Sequence, residues 1–310
     1  MKCLRMNKEN IDDLIKELEK ERKEIAVDKY KLENLERLKK IAVSYSGIDE
    51  VVSFQSIAKK IKEDEALGKE EEKMITGFAT IDRILKGFRP EQLIVLSGVT
   101  GNGKTSFSME LSERLKEFNP LWFPFEESAY ELVRKCLERG YEPPKAFTPN
   151  SLEETNIKWM KTKIVESIAK YNTKIVFIDH LEYIVPKGFD EVQETSKVMR
   201  ELKGIAKEFG IVVFLLCHLK KVKIDSQPTT EDVKGSTSVT QQADTVFLLW
   251  RETKRENGEV ISTNNTNISI QKNRRFGETG NIKMEYKNGR FLETEWMSDK
   301  EQSLQDFKDF

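Results

Sequence analysis

The sequence contains few cysteines, almost no net charge and no long apolar run. Its three cysteines lie far apart and form no CxxC pair, so neither disulfides nor a zinc site is expected from them. The formal net charge is −1, from 52 basic and 53 acidic side chains, which excludes nucleic-acid binding driven by overall charge and leaves only local patches. The longest apolar run, Ile211–Cys217, is far shorter than the roughly 20 residues of a membrane span. These absences, with no apolar stretch among the first residues, predict a cytoplasmic protein without membrane contact.

Glycine and proline are absent from residues 1–46, which favours a helical N-terminal region. Apolar residues recur there at every seventh position, namely Leu4, Ile11, Leu18, Ile25 and Leu32. The pattern indicates one or two amphipathic helices, either a coiled coil or docking module for a partner, or a small cap packing on its own core. We therefore predict a helical region over 1–52, followed over 53–73 by a short helix capped by Ser53 and a charged linker.

From Met74 onwards, apolar β-branched runs alternate with helical stretches, the pattern of an α/β protein. The runs are nearly continuous in hydrophobicity, so each is predicted to be a strand buried on both faces of a mostly parallel central sheet. The predicted strands are Leu93–Ser97, Leu121–Phe125, Lys174–Asp179, Ile211–Cys217, Thr245–Trp250 and Asn267–Gln271. A hairpin turning at Asn288–Gly289 is predicted to end a domain over 74–297, and a polar tail over 298–310 to be frayed.

Residues 98–105 match the pattern G-x-x-x-x-G-K-[ST], which indicates a phosphate-binding loop between a strand and a helix. The glycines let successive backbone N–H groups point inward at an anion, and the following helix adds its positive N-terminal end. Lys104 is predicted to reach the β- and γ-phosphates of a nucleoside triphosphate, and Thr105 to ligate Mg²⁺. The predicted nucleotide contacts in this segment are Gly98, Thr100, Gly101, Asn102, Gly103, Lys104, Thr105 and Ser106.

Carboxylates follow two of the predicted strands. Asp179 ends the run that begins at Lys174 and is predicted to contact Mg²⁺, because ligands bind at the C-terminal ends of parallel strands; the alternative is a cap of the next helix. Glu126 and Glu127 follow another run, and one of them is expected to orient and deprotonate the attacking water. Strand alternation places these two on opposite faces, and spacing does not say which one faces the site.

Six segments in the right order resemble the RecA-fold ATPase domain of DnaB-like replicative helicases, with phage and mitochondrial members the most similar. The resemblance extends over about 74–295 and is carried by residues 75–88 with the phosphate loop, 125–128, 177–181, 216–221, 232–244 and 271–280. It implies a RecA-like P-loop NTPase core that uses ATP or another nucleoside triphosphate with Mg²⁺. It also implies a ring of identical subunits, hexameric in this family.

The resemblance further implies roles for single residues. It selects Glu126 as the catalytic glutamate and makes His218, otherwise a structural residue, a sensor of the γ-phosphate. Lys272 and Arg274 would reach into a neighbouring subunit's site, Arg274 as the arginine finger, unless the adjacent Arg275 has that role.

Base and DNA contacts are also implied by the resemblance. Arg251 and Tyr286 would enclose the base, the alternative being ordinary surface packing. Single-stranded DNA would be gripped through predicted loops that otherwise read as solvated and charged. The candidate DNA contacts are Lys187, Lys221, Lys234, Gly235 and Ser236.

Together these features predict an ATP-dependent replicative-type DNA helicase, a ring-forming motor that moves on single-stranded DNA. The N-terminal helices would recruit a replication partner. One alternative is a RecA- or KaiC-like ATPase that binds DNA or signals without unwinding. Another is a nucleotide-switched scaffold that loads a different helicase.

Overall fold

The computed structural model describes residues 52–298, apart from 70, 153, 187, 189, 221–226 and 257–258; the side chains of 236 and 295–298 are likewise left out. The predicted helical region up to residue 51 and the polar tail after 298 therefore lie outside the described residues. The chain divides into two compact units. Among the described residues, one comprises 52–72 with Val165–Asn172, and the other comprises Lys73–Ile164 and 173–298.

In the first unit, helix α1 (Phe54–Ala66) follows Ser53 as its N-cap. The Ser53 hydroxyl accepts a hydrogen bond from the Ser56 backbone N–H at 3.1 Å, which satisfies one of the unpaired donors of the first turn. The apolar residues Ile57 and Ile61 lie one turn apart, yet none of the residues of α1 is buried. The helix thus presents an uncovered apolar stripe.

The described part of the second unit contains eight strands in one sheet. They are β1 (Leu93–Gly98), β2 (Leu121–Pro124), β3 (Ile175–Asp179), β4 (Val212–His218), β5 (Thr245–Glu256), β6 (Glu259–Asn273), β7 (Gly280–Lys287) and β8 (Arg290–Ser298). Their order in the sheet is β2-β3-β4-β1-β5-β6-β7-β8. The five strands from β2 to β5 in this order pair in parallel, and the last three pair antiparallel. The predicted α/β fold with a mostly parallel sheet is confirmed.

Helices connect the parallel strands, as the crossover between parallel neighbours requires. They are α3 (Lys104–Arg114), α4 (Ala129–Glu138), α5 (Ile157–Tyr171), α6 (Leu181–Ile184), α7 (Glu191–Phe209) and α8 (Ser236–Gln242), while α2 (Ala79–Leu85) precedes β1. Every residue of β1 and β3 is buried, in agreement with their continuous hydrophobicity. No helix in the described ranges is long and apolar enough to cross a bilayer.

The strand predicted at Asn267–Gln271 lies in the antiparallel part of the mostly parallel sheet. This segment belongs to β6, which is antiparallel to both β5 and β7, and both β5 and β6 are longer than the strands predicted from the sequence. Only two residues separate Glu256 from Glu259, which is too short for the crossover that a parallel partner needs. The hairpin predicted around Asn288–Gly289 is confirmed as β7 and β8.

Aromatic side chains fill the core around the central strands. The Trp122 and Phe177 rings stack at 4.8 Å between neighbouring β2 and β3, and Phe177 contacts Phe214 of β4 at 5.1 Å. On another side of the core, Phe107 of α3 meets Phe291 of β8 edge to face at 5.5 Å. These contacts fix the helix that follows the phosphate loop against the sheet.

Candidate active site

The loop between β1 and α3 has the backbone of an anion-binding loop. Gly101 and Gly103 have φ values of +79° and +99°, a region that side chains other than glycine rarely adopt. A Cβ atom on Gly98 would lie 2.6 Å from the Leu249 carbonyl oxygen, so the start of the loop also has room only for glycine. The glycine positions predicted from the motif are thus required by conformation at two positions and by space at a third.

Lys104 is buried at the start of α3, with 5% of its surface exposed. Its Nζ donates to the carbonyl oxygen of Gly98 at 3.0 Å and lies 3.1 Å from Nδ1 of His218. Burial lowers the pKa of Lys104, and the nearby carboxylates of Asp179 and Glu126 oppose that shift. An ammonium group only donates, so Nδ1 of His218 accepts and the proton of its neutral ring is on Nε2.

Thr105 and Asp179 form the other side of the loop. The Thr105 hydroxyl donates to Oδ2 of Asp179 at 2.7 Å, while Oδ1 of Asp179 is buried without a hydrogen-bond partner among the described residues. Burial raises the pKa of Asp179 to about 6 despite the Thr105 hydrogen bond. A hydroxyl and a carboxylate are hard oxygen ligands, so this pair fits Mg²⁺ and would give the unpaired oxygen a partner.

The two glutamates after β2 have different surroundings. Oε1 of Glu127 forms an ion pair with Lys135 Nζ at 2.5 Å, away from the loop. Oε2 of Glu126 lies 3.4 Å from Nε2 of His180, and the Glu126 backbone N–H donates to the Asp179 carbonyl oxygen at 3.0 Å. Both glutamates lie beyond β2, which ends at Pro124, so strand alternation does not apply to them. Their contacts direct Glu126 towards the tip of β3 and Glu127 towards Lys135 of α4.

His180 and Glu182 belong to the site although neither was predicted. Nε2 of His218 lies 2.9 Å from Nε2 of His180, and Nδ1 of His180 lies 2.5 Å from Oε2 of Glu182. Burial alone would raise the pKa of Glu182, but its hydrogen bond with His180 and its electrostatic interaction with both imidazole groups lower it to about 2. The sequence did contain a signal that could have predicted His180 as a site residue. The chain has two histidines, and both directly follow apolar segments predicted to be strands.

The predicted base contacts each have partners within the chain. The Arg251 backbone N–H donates to Oδ1 of Asn102 at 3.2 Å, and its Nε donates to the Thr263 carbonyl oxygen at 3.0 Å. The Tyr286 ring packs on Phe291 at 4.8 Å. Arg251 thus lies beside the phosphate loop, while Tyr286 is supported by the same core that holds α3.

Lys272 and Arg274 both bind the C-terminal end of α8. Lys272 Nζ donates to the Thr240 carbonyl oxygen at 2.6 Å. Arg274 donates through Nη1 to Oδ1 of Asp244 at 3.0 Å and through Nη2 to the Gln241 carbonyl oxygen at 2.5 Å. About half of the Arg274 side chain remains exposed. The adjacent Arg275 guanidinium lies 5.7 Å from the centre of the Phe276 ring.

The candidate DNA contacts are only partly covered by the structure. Lys234 is half exposed and pairs with Glu191 at 3.4 Å, and Gly235 has a φ of +71° just before α8. Ser236 begins α8, but its side chain is among those left out of the description. Lys187 and Lys221 lie outside the described residues.

A glycine loop with left-handed backbone, a buried lysine and a Thr–Asp pair at the C-terminal ends of parallel strands define a P-loop NTPase of the α/β class. Residues 74–142 and 145–292 match the family model for the DnaB-like helicase C terminal domain. Because this match includes most of the chain, the protein belongs to that family.

Known relatives agree with this assignment. A probable replicative DNA helicase of Trieres chinensis is 26% identical over 251 residues, 68% of this chain and 54% of that protein. The replicative DNA helicase DnaB of Rickettsia typhi is 29% identical over 252 residues, 66% of this chain and 50% of that protein. The chain thus spans about half the length of these curated relatives. A solved DnaB-like replicative helicase, described with its interactions with primase, has a TM-score of 0.64 at 19% identity, covering 86% of this chain and 77% of that one.

Proposed function

We propose that this protein is an ATP-dependent replicative-type DNA helicase that works as a ring of identical subunits on single-stranded DNA. The observation that carries the proposal is the Thr105–Asp179 hydrogen bond of 2.7 Å beside the buried Lys104, on a chain of the DnaB-like family. Motor activity needs a triphosphate and Mg²⁺ bound side by side. Lys104 offers a positive charge to the phosphates, and Thr105 and Asp179 offer oxygen ligands to Mg²⁺. Its curated relatives are named replicative DNA helicases.

The phosphate loop supplies the nucleotide contacts. Backbone N–H groups of the loop and Lys104 would bind the phosphates, and Asn102 would hold Arg251 near the base. Thr105 and Asp179 would hold Mg²⁺, which when bound neutralises charge on the phosphate oxygens. Lys104 must first exchange its bonds to the Gly98 carbonyl and His218 for phosphate oxygens.

Glu126 would act as the base for the attacking water. It is the most exposed of the carboxylates in the site, with 31% of its side chain accessible, so a water molecule can reach it. Its neighbour His180 is hydrogen-bonded to both Glu182 and His218, which limits the orientations of the group facing Glu126. Glu126 would accept the proton as the water attacks the γ-phosphorus.

Two features support assembly into a ring. Arg274 is half exposed, and its guanidinium is held only by hydrogen bonds that a rotation of the side chain can break. It can therefore serve as an arginine finger in a neighbouring subunit. Helix α1 has an apolar stripe and no buried residue, which suits contact with a second copy. DNA would be held by Lys234 and the backbone around Gly235, and the N-terminal region of the sequence would serve a replication partner.

Hydrolysis and strand separation test the proposal directly. We expect the full chain to hydrolyse ATP, to do so faster with single-stranded DNA, and to separate a forked duplex. Lys104→Ala should lower turnover by at least about a hundred-fold, since the phosphate contact is lost. Glu127→Gln is the matched control and should retain activity. Full turnover in Lys104→Ala protein would contradict the site, and DNA-stimulated hydrolysis without unwinding would contradict the helicase.

A further inference from the structure

Both histidines of the chain meet at the candidate active site, together with one carboxylate. Nε2 of His180 lies 2.9 Å from Nε2 of His218 and 3.4 Å from Oε2 of Glu126. One ligand atom from each of these three residues lies within 4.8 Å of the other two. Two imidazoles and a glutamate are the ligand set of many open zinc sites, which keep a fourth position for water.

The distances suit a tetrahedral metal ion. Ligand atoms at about 2.0–2.1 Å from Zn²⁺ are separated by roughly 3.3 Å in a regular tetrahedron. The two short contacts of His180 bracket that value, so small side-chain rotations would bring Glu126 and His218 to their positions. Glu126 is on the solvent side, which provides an entry path for the ion.

The surroundings also favour a cation there. Glu182 binds Nδ1 of His180 at 2.5 Å, the carboxylate–histidine arrangement that orients metal-binding imidazoles and makes them better ligands. Asp179, Glu126 and Glu182 all act on Lys104 as nearby negative charges. Three carboxylates against one ammonium leave a local excess of negative charge.

We propose that Glu126, His180 and His218 form a binding site for a transition-metal ion of the Zn²⁺ type, separate from the Mg²⁺ position at Thr105 and Asp179. Ligand chemistry distinguishes the two positions, because imidazole nitrogen selects zinc-like metals and hydroxyl or carboxylate oxygen selects Mg²⁺. No zinc site is expected from the cysteines, but that expectation concerns thiolate ligands. It does not apply to the imidazole and carboxylate ligands of Glu126, His180 and His218. A bound ion holds Glu126 and His218 away from their roles, so it inhibits hydrolysis; this consequence rests on the proposed function.

Lys104 competes with the metal. Nδ1 of His218 accepts from Lys104, which keeps the ring proton on Nε2, the nitrogen that the metal needs. Metal binding moves that proton to Nδ1, where the Thr100 hydroxyl at 3.3 Å can accept it and the ammonium cannot. The ion and the Lys104–His218 contact are therefore mutually exclusive, and removing the ammonium strengthens metal binding.

Metal titration of the full chain without nucleotide tests the site. We expect one Zn²⁺ per chain by equilibrium dialysis, and a Co²⁺ spectrum of a four-coordinate nitrogen and oxygen site. His180→Ala and Glu126→Gln should each weaken Zn²⁺ by at least about ten-fold, and Lys104→Met should tighten it. Glu127→Gln, at a carboxylate that pairs with Lys135, should leave the affinity unchanged. Melting curves identify a variant that fails to fold. Because the Glu126 side chain is accessible, Glu126→Gln should fold and can test the site even if His180→Ala does not.

Unchanged Zn²⁺ affinity in folded Glu126→Gln and His180→Ala protein would overturn the proposal, as would a thiolate charge-transfer band in the Co²⁺ spectrum. Hydrolysis is measured separately, with Zn²⁺ added and then removed by a chelator. Site-specific Zn²⁺ binding by a protein that hydrolyses no nucleotide would overturn the proposed function and leave the metal site standing. Hydrolysis that Zn²⁺ does not affect, in protein that binds no Zn²⁺, would overturn the metal site alone.

Discussion

At the scale of single residues, the site contains an ionisable group in a place that is costly for its charge. Asp179 is 2% exposed and one of its carboxylate oxygens has no partner among the described residues. The Thr105 hydroxyl compensates only the other oxygen. A protein chosen for stability alone would have an uncharged side chain at this position, so Asp179 indicates selection for a cation.

Asp179→Asn should therefore stabilise the protein when no metal is present. Burial raises the pKa of Asp179 above its unfolded value. Its ionisation therefore lowers the free energy of unfolding as pH rises from about 4 to 6, and above about pH 6 this loss is complete. We expect a gain of about 2 kcal/mol in unfolding free energy at pH 7.5 in a chelator, and loss of Mg²⁺-dependent hydrolysis. Denaturant unfolding at pH 7.5 and pH 4 checks this. An equal gain at both pH values would contradict the explanation.

The choice between Glu126 and Glu127 is a second test at this scale. Glu126→Gln should reduce ATP turnover by about 10²–10⁴-fold with little change in nucleotide affinity, because the amide cannot accept the proton of water. Glu127→Gln loses only its ion pair with Lys135 and should change turnover less than two-fold. Single-turnover hydrolysis and nucleotide titration of both variants separate chemistry from binding. Similar turnover in the two variants would count against Glu126.

At the scale of elements, the sequence predicted what depends on contiguous patterns and missed what depends on strand order. The phosphate loop and the buried strands are coded by adjacent residues, so their positions were predictable. The His180–His218 contact requires that β3 and β4 be neighbours in the sheet, although α7 separates them in the chain. No periodicity carries that information. The antiparallel direction of β6 followed from a two-residue connection, and the length of the apolar run did not reveal it.

Asp244 connects several elements, and its replacement should be destabilising. One carboxylate oxygen accepts from the Leu93 backbone N–H at 2.8 Å and from Lys203 at 2.5 Å, and the other accepts from Arg274. Asp244→Ala leaves Lys203 without its carboxylate in a position where only 16% of its side chain is exposed, and should cost about 3–5 kcal/mol. Chemical denaturation measures the loss. Lys234→Ala is the control, because its exposed ion pair should contribute under about 1 kcal/mol.

At the scale of the whole molecule, the proposed ring predicts catalysis across subunits. Arg274→Ala protein retains its phosphate loop, and Lys104→Ala protein retains its arginine. Mixing the two inactive variants should restore part of the ATPase activity, since some interfaces then combine an intact loop with an intact finger. Arg275→Ala in place of Arg274→Ala is the comparison that decides which arginine acts. Mixtures no more active than the separate variants would exclude a finger supplied by a neighbour.

The apolar stripe of α1 gives a second prediction about assembly. The double change Ile57→Asp and Ile61→Asp places charge on a stripe in which no residue is buried, so the fold of the single chain should be retained. Association should weaken, because charges are costly in a subunit contact. Light scattering with a non-hydrolysable nucleotide measures the oligomer, and melting curves check the fold. Lys59→Asp, in the same helix, is the matched control.

The contacts of Lys104 within the chain have a consequence for how nucleotide affinity is measured. Its ammonium already has three neighbours, namely two carbonyl oxygens and an imidazole nitrogen, so it is not a bare charge awaiting a substrate. An arriving triphosphate swaps those contacts for new ones, and calorimetry records only the difference between the two sets. The measured enthalpy of binding should therefore be modest for so highly charged a ligand, because every binding event includes breaking the Lys104 contacts within the chain.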